Sequence, residues 1–333
     1  MHERQNALHN WLKKLFIESF YTLTPLAGDA SFRRYFRLHS KEQTHVVMDA
    51  PPGKETIAPF IDIAKLLQNH GIHTPTVFAF DEQQGFILLE DLGDQLLLNS
   101  LSPDNANQLY TAAMTTLIHI QECSPSNPSL PDFDKTFMLQ ELALFHEWFL
   151  QGYLSLTLNA QDERCLEETF RWLTTEIAAQ PQVFIHRDYH SRNLIIIDQN
   201  HPSDLGVIDF QDAMRGPFTY DLVSLLEDSY IQWPRSDVLH WLTFFYHASP
   251  IAQTRSLKEF TRAFDLCGLQ RHLKVLGIFC RLHLRDHKNN YLRDLPLTLH
   301  YVYACLETYP ELKPFYNFMQ QSVYQHFIEK QPL

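Results

Sequence analysis

The stretch His186-Arg187-Asp188-Tyr189-His190-Ser191-Arg192-Asn193, continued by LIIIDQNHPSDLGVIDF through Phe210, decides how the rest of the chain is read. The apolar run VFIH leads into it. NLIIID and LGVIDF are strand-like runs separated by the turn-rich QNHPSD, so they are expected to pair as a hairpin. That pairing would put Asn193 at the start of one strand and Asp209 at the end of its partner, with both side chains converging on one cation. Oxygen donors of this kind suit Mg2+, which takes one or two protein ligands and completes its shell with water and phosphate oxygens. Asp188, on the preceding loop, would accept a hydroxyl proton near that metal. A carboxylate for the acceptor hydroxyl, with an amide and a carboxylate for metal and nucleotide, is the division of labour in phosphoryl transfer.

Composition narrows the alternatives. The 333 residues suggest two domains or two lobes, and 45% apolar with 20% charged residues describes a globular chain. No apolar run approaches the ~18 residues of a membrane span, so no membrane association is expected. Lys plus Arg is 27 against 39 Asp plus Glu, giving 27 − 39 = −12. That balance argues against nucleic acid as a partner, since neutralising phosphates needs a basic surplus. Glycine is scarce, 10 in all, and neither GxGxxG nor GxxxxGK[ST] occurs, so any phosphate cradle must be built differently. The five cysteines form no CxxC and suggest neither a disulfide framework nor a zinc site. The N-terminal MHERQNALHNWLKKLF reads as an amphipathic helix rather than a signal peptide, which makes the cytoplasm the expected location.

Along the chain, Phe32 to Leu38 and His45 to Ala50 read as a hairpin, Ile57 to Asn69 as a helix ended by Gly71, and Thr76 to Phe80 and Phe86 to Leu89 as two further strands. Ser102 followed by Pro103 reads as the N-cap of a long helix, and helices dominate from there, apart from the β insert at 183–210. The expectation is an α+β, bilobal, protein-kinase-like fold. Residues 1–92 form a small sheet lobe with one packed helix, and 93–333 a mainly helical lobe holding the catalytic loop and metal-binding hairpin.

HRDxxxxN followed at hairpin distance by IDF is the catalytic pattern of protein-kinase-like folds. With IDFQDA in place of DFG, GPFTYDLVSLL following, and no APE, the sequence resembles the aminoglycoside phosphotransferase and choline kinase branch of that fold. Taken with GDASFRRYFR, MDAPP and LLEDLGD, it is most similar, over about residues 20–230, to the bacterial anomeric sugar kinases that phosphorylate N-acetylmuramate and N-acetylglucosamine at C1 in cell-wall recycling. The resemblance implies ATP and Mg2+ as cofactors and a small-molecule sugar as acceptor. It implies a nucleotide-covering turn that includes Gly28, Ser31, Phe32, Arg33 and Arg34, and a hinge whose Glu90 and Leu92 backbone groups meet adenine. Asp188 would be catalytic, and Asn193 and Asp209 the metal ligands. His186 and Asp221 would support the catalytic loop, while His190, Arg192 and Asp212 are carried as substrate-side candidates. The oligomeric state is open, with a monomer favoured.

One departure stands out. The strand residue that should be lysine, reaching the nucleotide phosphates, is Met48, and a thioether cannot supply that charge. Arg33, Arg34 or Lys54 is the candidate replacement, with Glu55 or Asp62 as the paired carboxylate. Choline, homoserine or an aminoglycoside remain as acceptors, and a silent nucleotide-binding protein and a metal-dependent hydrolase using His186, Asp188 and His190 remain as other classes.

Overall fold

The computed structural model describes residues 2–16, 20–26, 32–41, 43–123 and 130–330. The chain divides into two compact units, one of residues 1–95 with 195–212 and one of 96–194 with 213–333.

The first unit opens with helix α1 (His2–Leu15), followed by strands β1 (Thr22–Pro25), β2 (Arg34–His39) and β3 (Thr44–Asp49), helix α2 (Ala58–Asn69), and strands β4 (Val77–Asp81) and β5 (Phe86–Glu90). The strands form one sheet in the order β1-β2-β3-β5-β4, every pairing antiparallel. One face buries the apolar stripe of α1, where Leu8, Trp11 and Leu12 pack with Leu38, Val47, Phe86 and Leu88. Because side chains alternate along a strand, Asp49 shares that face with Val47. It is fully buried and held by Arg4 of α1 through two bonds of 2.8 and 2.6 Å, and by Arg34 of β2. Gly85, in the β4–β5 turn, has φ +68°, and a Cβ there would come within 2.0 Å of the Ala50 carbonyl oxygen, so the turn admits no side chain.

The hairpin expected after the loop of His186 to Asn193 is present as β7 (Leu194–Asp198) and β8 (His201–Val207). Its turn is tighter than the sequence suggested, since Pro202 to Asp204 already belong to β8. This ribbon is tied to the first unit by Ile196 N donating to Gln95 O and Val207 N to His73 O, both at 2.9 Å.

The second unit carries α3 (Leu97–Ser100), α4 (Ala106–Glu122), α5 (Lys135–Leu144), α6 (Ala160–Ala178), β6 (Gln182–Ile185), β9 (Met214–Pro217), α7 (Tyr220–Leu226), α8 (Arg235–Ala248), α9 (Leu257–Leu284), α10 (Leu295–Thr308), α11 (Lys313–Phe318) and α12 (Tyr324–Lys330). One expectation needs correcting. Ser102 does not cap α4, which begins four residues later, because the Asn105 side chain accepts from Ser102 N at 2.8 Å and donates to Ser100 O at 2.8 Å, closing a turn first. The strand VFIH pairs with β9, a MRGP segment whose Gly and Pro conceal a strand.

Helix α9 organises this unit. A Ser256/Glu259 capping box starts it, and most of its 28 residues are buried on all sides, as expected of a helix through the middle of a core. No helix of the described residues is long and apolar enough to cross a membrane, and all five cysteines are free.

Gly277 lets α9 touch the chain where α5 passes into a π-helical segment, since a Cβ there would lie 2.3 Å from Leu144 C and 2.6 Å from Phe145 N. Gly277→Ala gains about 1 kcal/mol of helix propensity, but backbone atoms cannot move aside as a flexible side chain would. Overpacking of about 1–3 kcal/mol or more should therefore win, and the melting temperature followed by circular dichroism should fall. An unchanged or raised value would contradict this contact.

Candidate functional site

The loop from His186 to Asn193 runs between β6 and β7 and is held from three directions. Asp221, fully buried at the start of α7, accepts the backbone amides of His186 at 2.6 Å and Arg187 at 2.9 Å. Burial pushes its carboxyl up to about 6 in spite of those two donors. Arg187 adopts φ +76°, a conformation that non-glycine residues rarely take, so the loop is bent here at a cost that its contacts must offset. Its guanidinium donates to Glu141 of α5 at 2.9 Å. Tyr189 is buried and donates to the Ala113 carbonyl of α4 at 2.9 Å, and Ser191 is bound through both N and Oγ to Asp228.

These restraints fix Asp188. Asn193 Nδ2 donates to the Asp188 carbonyl at 2.9 Å, and His190 N donates to the same oxygen at 3.0 Å. The Asp188 amide in turn donates to His186 Nδ1 at 3.3 Å. With its amide nitrogen so used, Oδ1 is the atom of Asn193 with the chemistry to ligate a cation. Burial would raise the Asp188 carboxyl, but the charges of Lys274, His190, Arg271 and Arg187 outweigh it and hold the group at about 2. Asp188 is therefore a carboxylate at any ordinary pH.

Of the substrate-side candidates, His190 and Arg192 both lie against Tyr230, the imidazole edge-on at 5.5 Å and the guanidinium over the ring at 4.6 Å. The sequence reading did not anticipate the surroundings of Asp188. Glu141 is buried on α5, and Arg271 and Lys274 are buried on α9, with Lys274 3.3 Å from Glu141 and donating to Tyr220 Oη at 2.9 Å. No motif in the run GLQRHLKVLG marks its three ionisable residues, whose burial follows from the packing of α9.

The first unit holds the other candidates. Asp209 follows β8 with φ +65°, and Gln211 Nε2 bridges it to the exposed Asp212, at 2.8 and 3.2 Å. Gly28 and Ser31 lie outside the described residues. Phe32 is exposed, with the Lys54 ammonium 4.4 Å above its ring. Arg33 pairs with Glu55 at 3.0 Å, whereas Arg34 is committed to Asp49. Asp62 is exposed on α2. Tyr35, opposite Met48 in the β2–β3 register, is pushed up to about 12 by burial, and it feels Arg33, Asp209 and Glu55. Those three charges thus gather on the Met48 face of the sheet. At the end of β5, Glu90 N donates to Thr76 O at 2.9 Å and its carboxylate accepts from Thr76 Oγ1 at 2.8 Å, so only the Glu90 carbonyl is left for a hinge contact. Leu92 is buried, and its Cδ1 would lie 2.6 Å from a Cβ at Gly206 of β8. Among the described residues no three His, Cys, Asp or Glu side chains gather as a metal site, so the geometry gives no support to a hydrolase built on His186, Asp188 and His190.

Residues 22–260 match the phosphotransferase enzyme family. The chain belongs to this family. It is 40% identical over 295 residues to the N-acetylmuramate/N-acetylglucosamine kinase of Pseudomonas aeruginosa, covering 87% of this chain and 85% of the relative. To the kinase of the same name from Neisseria meningitidis serogroup B it is 37% identical over 329 residues, 96% of each chain. Among solved structures it is similar to choline kinase LicA from Streptococcus pneumoniae (TM-score 0.65, 14% identity, 91% and 99% of the two chains). It is also similar to the ADP-bound aminoglycoside phosphotransferase APH(2'')-Ib (TM-score 0.60, 18% identity, 89% and 97%). The fold is the protein-kinase-like α+β fold of these enzymes, and the protein is a phosphotransferase.

Asp221→Asn tests the clamp. An amide has one acceptor oxygen where the carboxylate has two, so one loop N–H would face a donor, at about 1–3 kcal/mol for a buried group left unsatisfied. Lower thermal stability together with lower turnover is expected. Wild-type values of both would show that the loop does not depend on Asp221.

Proposed function

We propose that this phosphotransferase is an ATP- and Mg2+-dependent kinase of N-acetylmuramate and N-acetylglucosamine, acting at the anomeric C1 hydroxyl. The observation that carries the reading is 37% identity over 96% of both chains to a kinase of that name. The charges near Asp188 support it. Choline and aminoglycosides are cationic acceptors, and the groups facing this carboxylate are Lys274, His190, Arg271 and Arg187. Like charges in so buried a place disfavour a cationic ligand.

In this reading Asp188 receives the hydrogen bond and then the proton of the acceptor hydroxyl. That oxygen forms a bond to the γ-phosphorus while the bond to the β-phosphate oxygen breaks. A carboxylate held at about 2 is a weak base, and the anomeric hydroxyl, more acidic than an ordinary alcohol, makes a weak base sufficient. Asp221 positions the loop through the His186 and Arg187 amides. Asn193 and Asp209 offer one amide and one carboxylate oxygen, hard donors in the small number that Mg2+ uses. Mg2+, when bound, would supply neutralisation of phosphate charge. The carbonyl of Glu90 and the amide of Leu92 are the hinge groups for adenine. Arg33, next to Glu55 and on the Met48 face, takes the place of the missing lysine.

The reading is tested by coupled ADP release over N-acetylmuramate, N-acetylglucosamine, choline and an aminoglycoside, with 31P NMR of the product. Turnover on the two sugars and an anomeric phosphate signal are expected, and Asp188→Asn should lower kcat by ~10²- to 10⁴-fold. Turnover confined to choline or the aminoglycoside would replace this acceptor assignment.

The two arginines should separate cleanly. Arg33→Ala should raise KM for ATP and lower kcat, because it removes charge from the phosphate end. Arg34→Ala should leave KM for ATP close to wild type and instead lower stability, since it weakens the buried Asp49 pair. If Arg34 controls KM and Arg33 does not, the assignment by sheet face is wrong.

A further inference from the structure

Helix α9 buries five polar or charged side chains, and the structure satisfies four of them in whole or part. Asp265 accepts from Arg235 at 2.6 Å and Tyr309 at 2.7 Å. Gln270 donates to Glu141 at 3.1 Å, His272 bonds to the Glu227 carbonyl at 3.0 Å, and Lys274 reaches Tyr220 and Glu141. Arg271 differs. It is 4% exposed, its Nε is buried without a hydrogen-bond partner, and it forms no ion pair with a described residue. An uncompensated buried guanidinium is costly, and such groups are ordinarily paired.

The nearby carboxylates do not supply that pair. Glu141 is already engaged by Arg187, Lys274 and Gln270. Asp221 accepts two backbone amides. Asp188 lies within electrostatic reach of Arg271 but outside ion-pair distance, and in the reading above it serves the acceptor hydroxyl. Lys274, one helical turn along, adds a second positive charge to the same neighbourhood. The anion that completes Arg271 must therefore arrive with a ligand. The ligand assigned to Asp188, which feels the Arg271 charge, is the acceptor, and this makes the acceptor the source considered. The two sugars differ in one charged group: N-acetylmuramate carries a lactyl ether ending in a carboxylate, and N-acetylglucosamine does not. A planar guanidinium can hold both oxygens of a carboxylate at once.

We propose that Arg271 is the specificity-determining residue for an acidic acceptor, its guanidinium receiving the lactyl carboxylate of N-acetylmuramate beside Lys274. This rests on the sugar-kinase reading, and the test separates the two.

The test compares kcat/KM for N-acetylmuramate and N-acetylglucosamine, at saturating Mg-ATP, in the wild type, Arg271→Gln and Arg271→Lys. The ratio of acidic to neutral sugar cancels any effect common to both, including a changed charge at Asp188. In Arg271→Gln it should fall roughly 10- to 100-fold, chiefly through KM for the acidic sugar, the size of a lost charge-assisted bond. Arg271→Lys should recover part of the loss. A ratio unchanged within about threefold overturns the proposal, and an equal collapse on both sugars in folded protein assigns Arg271 to the shared transfer step. If Arg271→Gln does not fold, Arg271→Lys decides, because an unaltered ratio there has the same meaning. A wild-type enzyme that phosphorylates neither sugar removes the sugar reading itself, and the proposal with it, before any variant is made.

Discussion

Glu141 is the carboxylate on which the loop from His186 to Asn193 depends. Buried on α5, it binds Arg187 of the loop at 2.9 Å and Lys274 of α9 at 3.3 Å, and Gln270 of α9 donates to it as well. Two cations on one buried carboxylate tie a loop to two helices. Removing one partner from such a group leaves a charge that low-dielectric surroundings cannot accommodate, typically at about 3–5 kcal/mol. This is what allows Arg187 to remain at φ +76°. A backbone in that region relaxes unless its neighbours over-determine it, and here Asp221 fixes the amide while Glu141 fixes the side chain.

The same charges set the chemistry of Asp188. Burial alone would make its carboxyl easier to protonate, yet Lys274, His190, Arg271 and Arg187 reverse the sign. Asp221 makes the contrast, because two backbone amides do not overcome its burial and its carboxyl is raised. Two carboxylates close in the fold are thus separated by how much positive charge surrounds each: Lys274, His190, Arg271 and Arg187 act on Asp188, whereas Asp221 has His186 and its two amide donors against its burial and the charge of Asp188. Of the two, Asp188 is the one kept ionised.

In the first unit a simpler constraint does comparable work. Adjacent residues of an extended chain face opposite sides, so Arg33 and Arg34 cannot share a role. Arg34 meets Asp49 on the face that α1 covers, and Arg33 meets Glu55 on the face of Met48 and Tyr35. A cation and its carboxylate therefore stand on the side where a lysine would have projected from β3.

The class of protein was written in the chain. HRDYHSRN and IDFQDA at hairpin spacing, with the alternating strands before them, lead to a phosphoryl-transfer fold, because each is a local pattern whose geometry follows from neighbouring residues. Local reading failed where distant residues intervene. Ser102 had the chemistry of a cap, but Asn105 closed a different turn. MRGP has poor strand residues, yet β6 supplies its pairing. Glu141, Arg271 and Lys274 carry no motif, for their meaning depends on α5, α9 and the loop being packed together, and desolvation turns ordinary surface-type charges into determinants of the site. The sequence by itself determined the phosphotransferase class and the fold; only the tertiary structure decided which charges surround the loop of His186 to Asn193, because burial and charge pairing are properties of packed neighbours and not of any single stretch of chain.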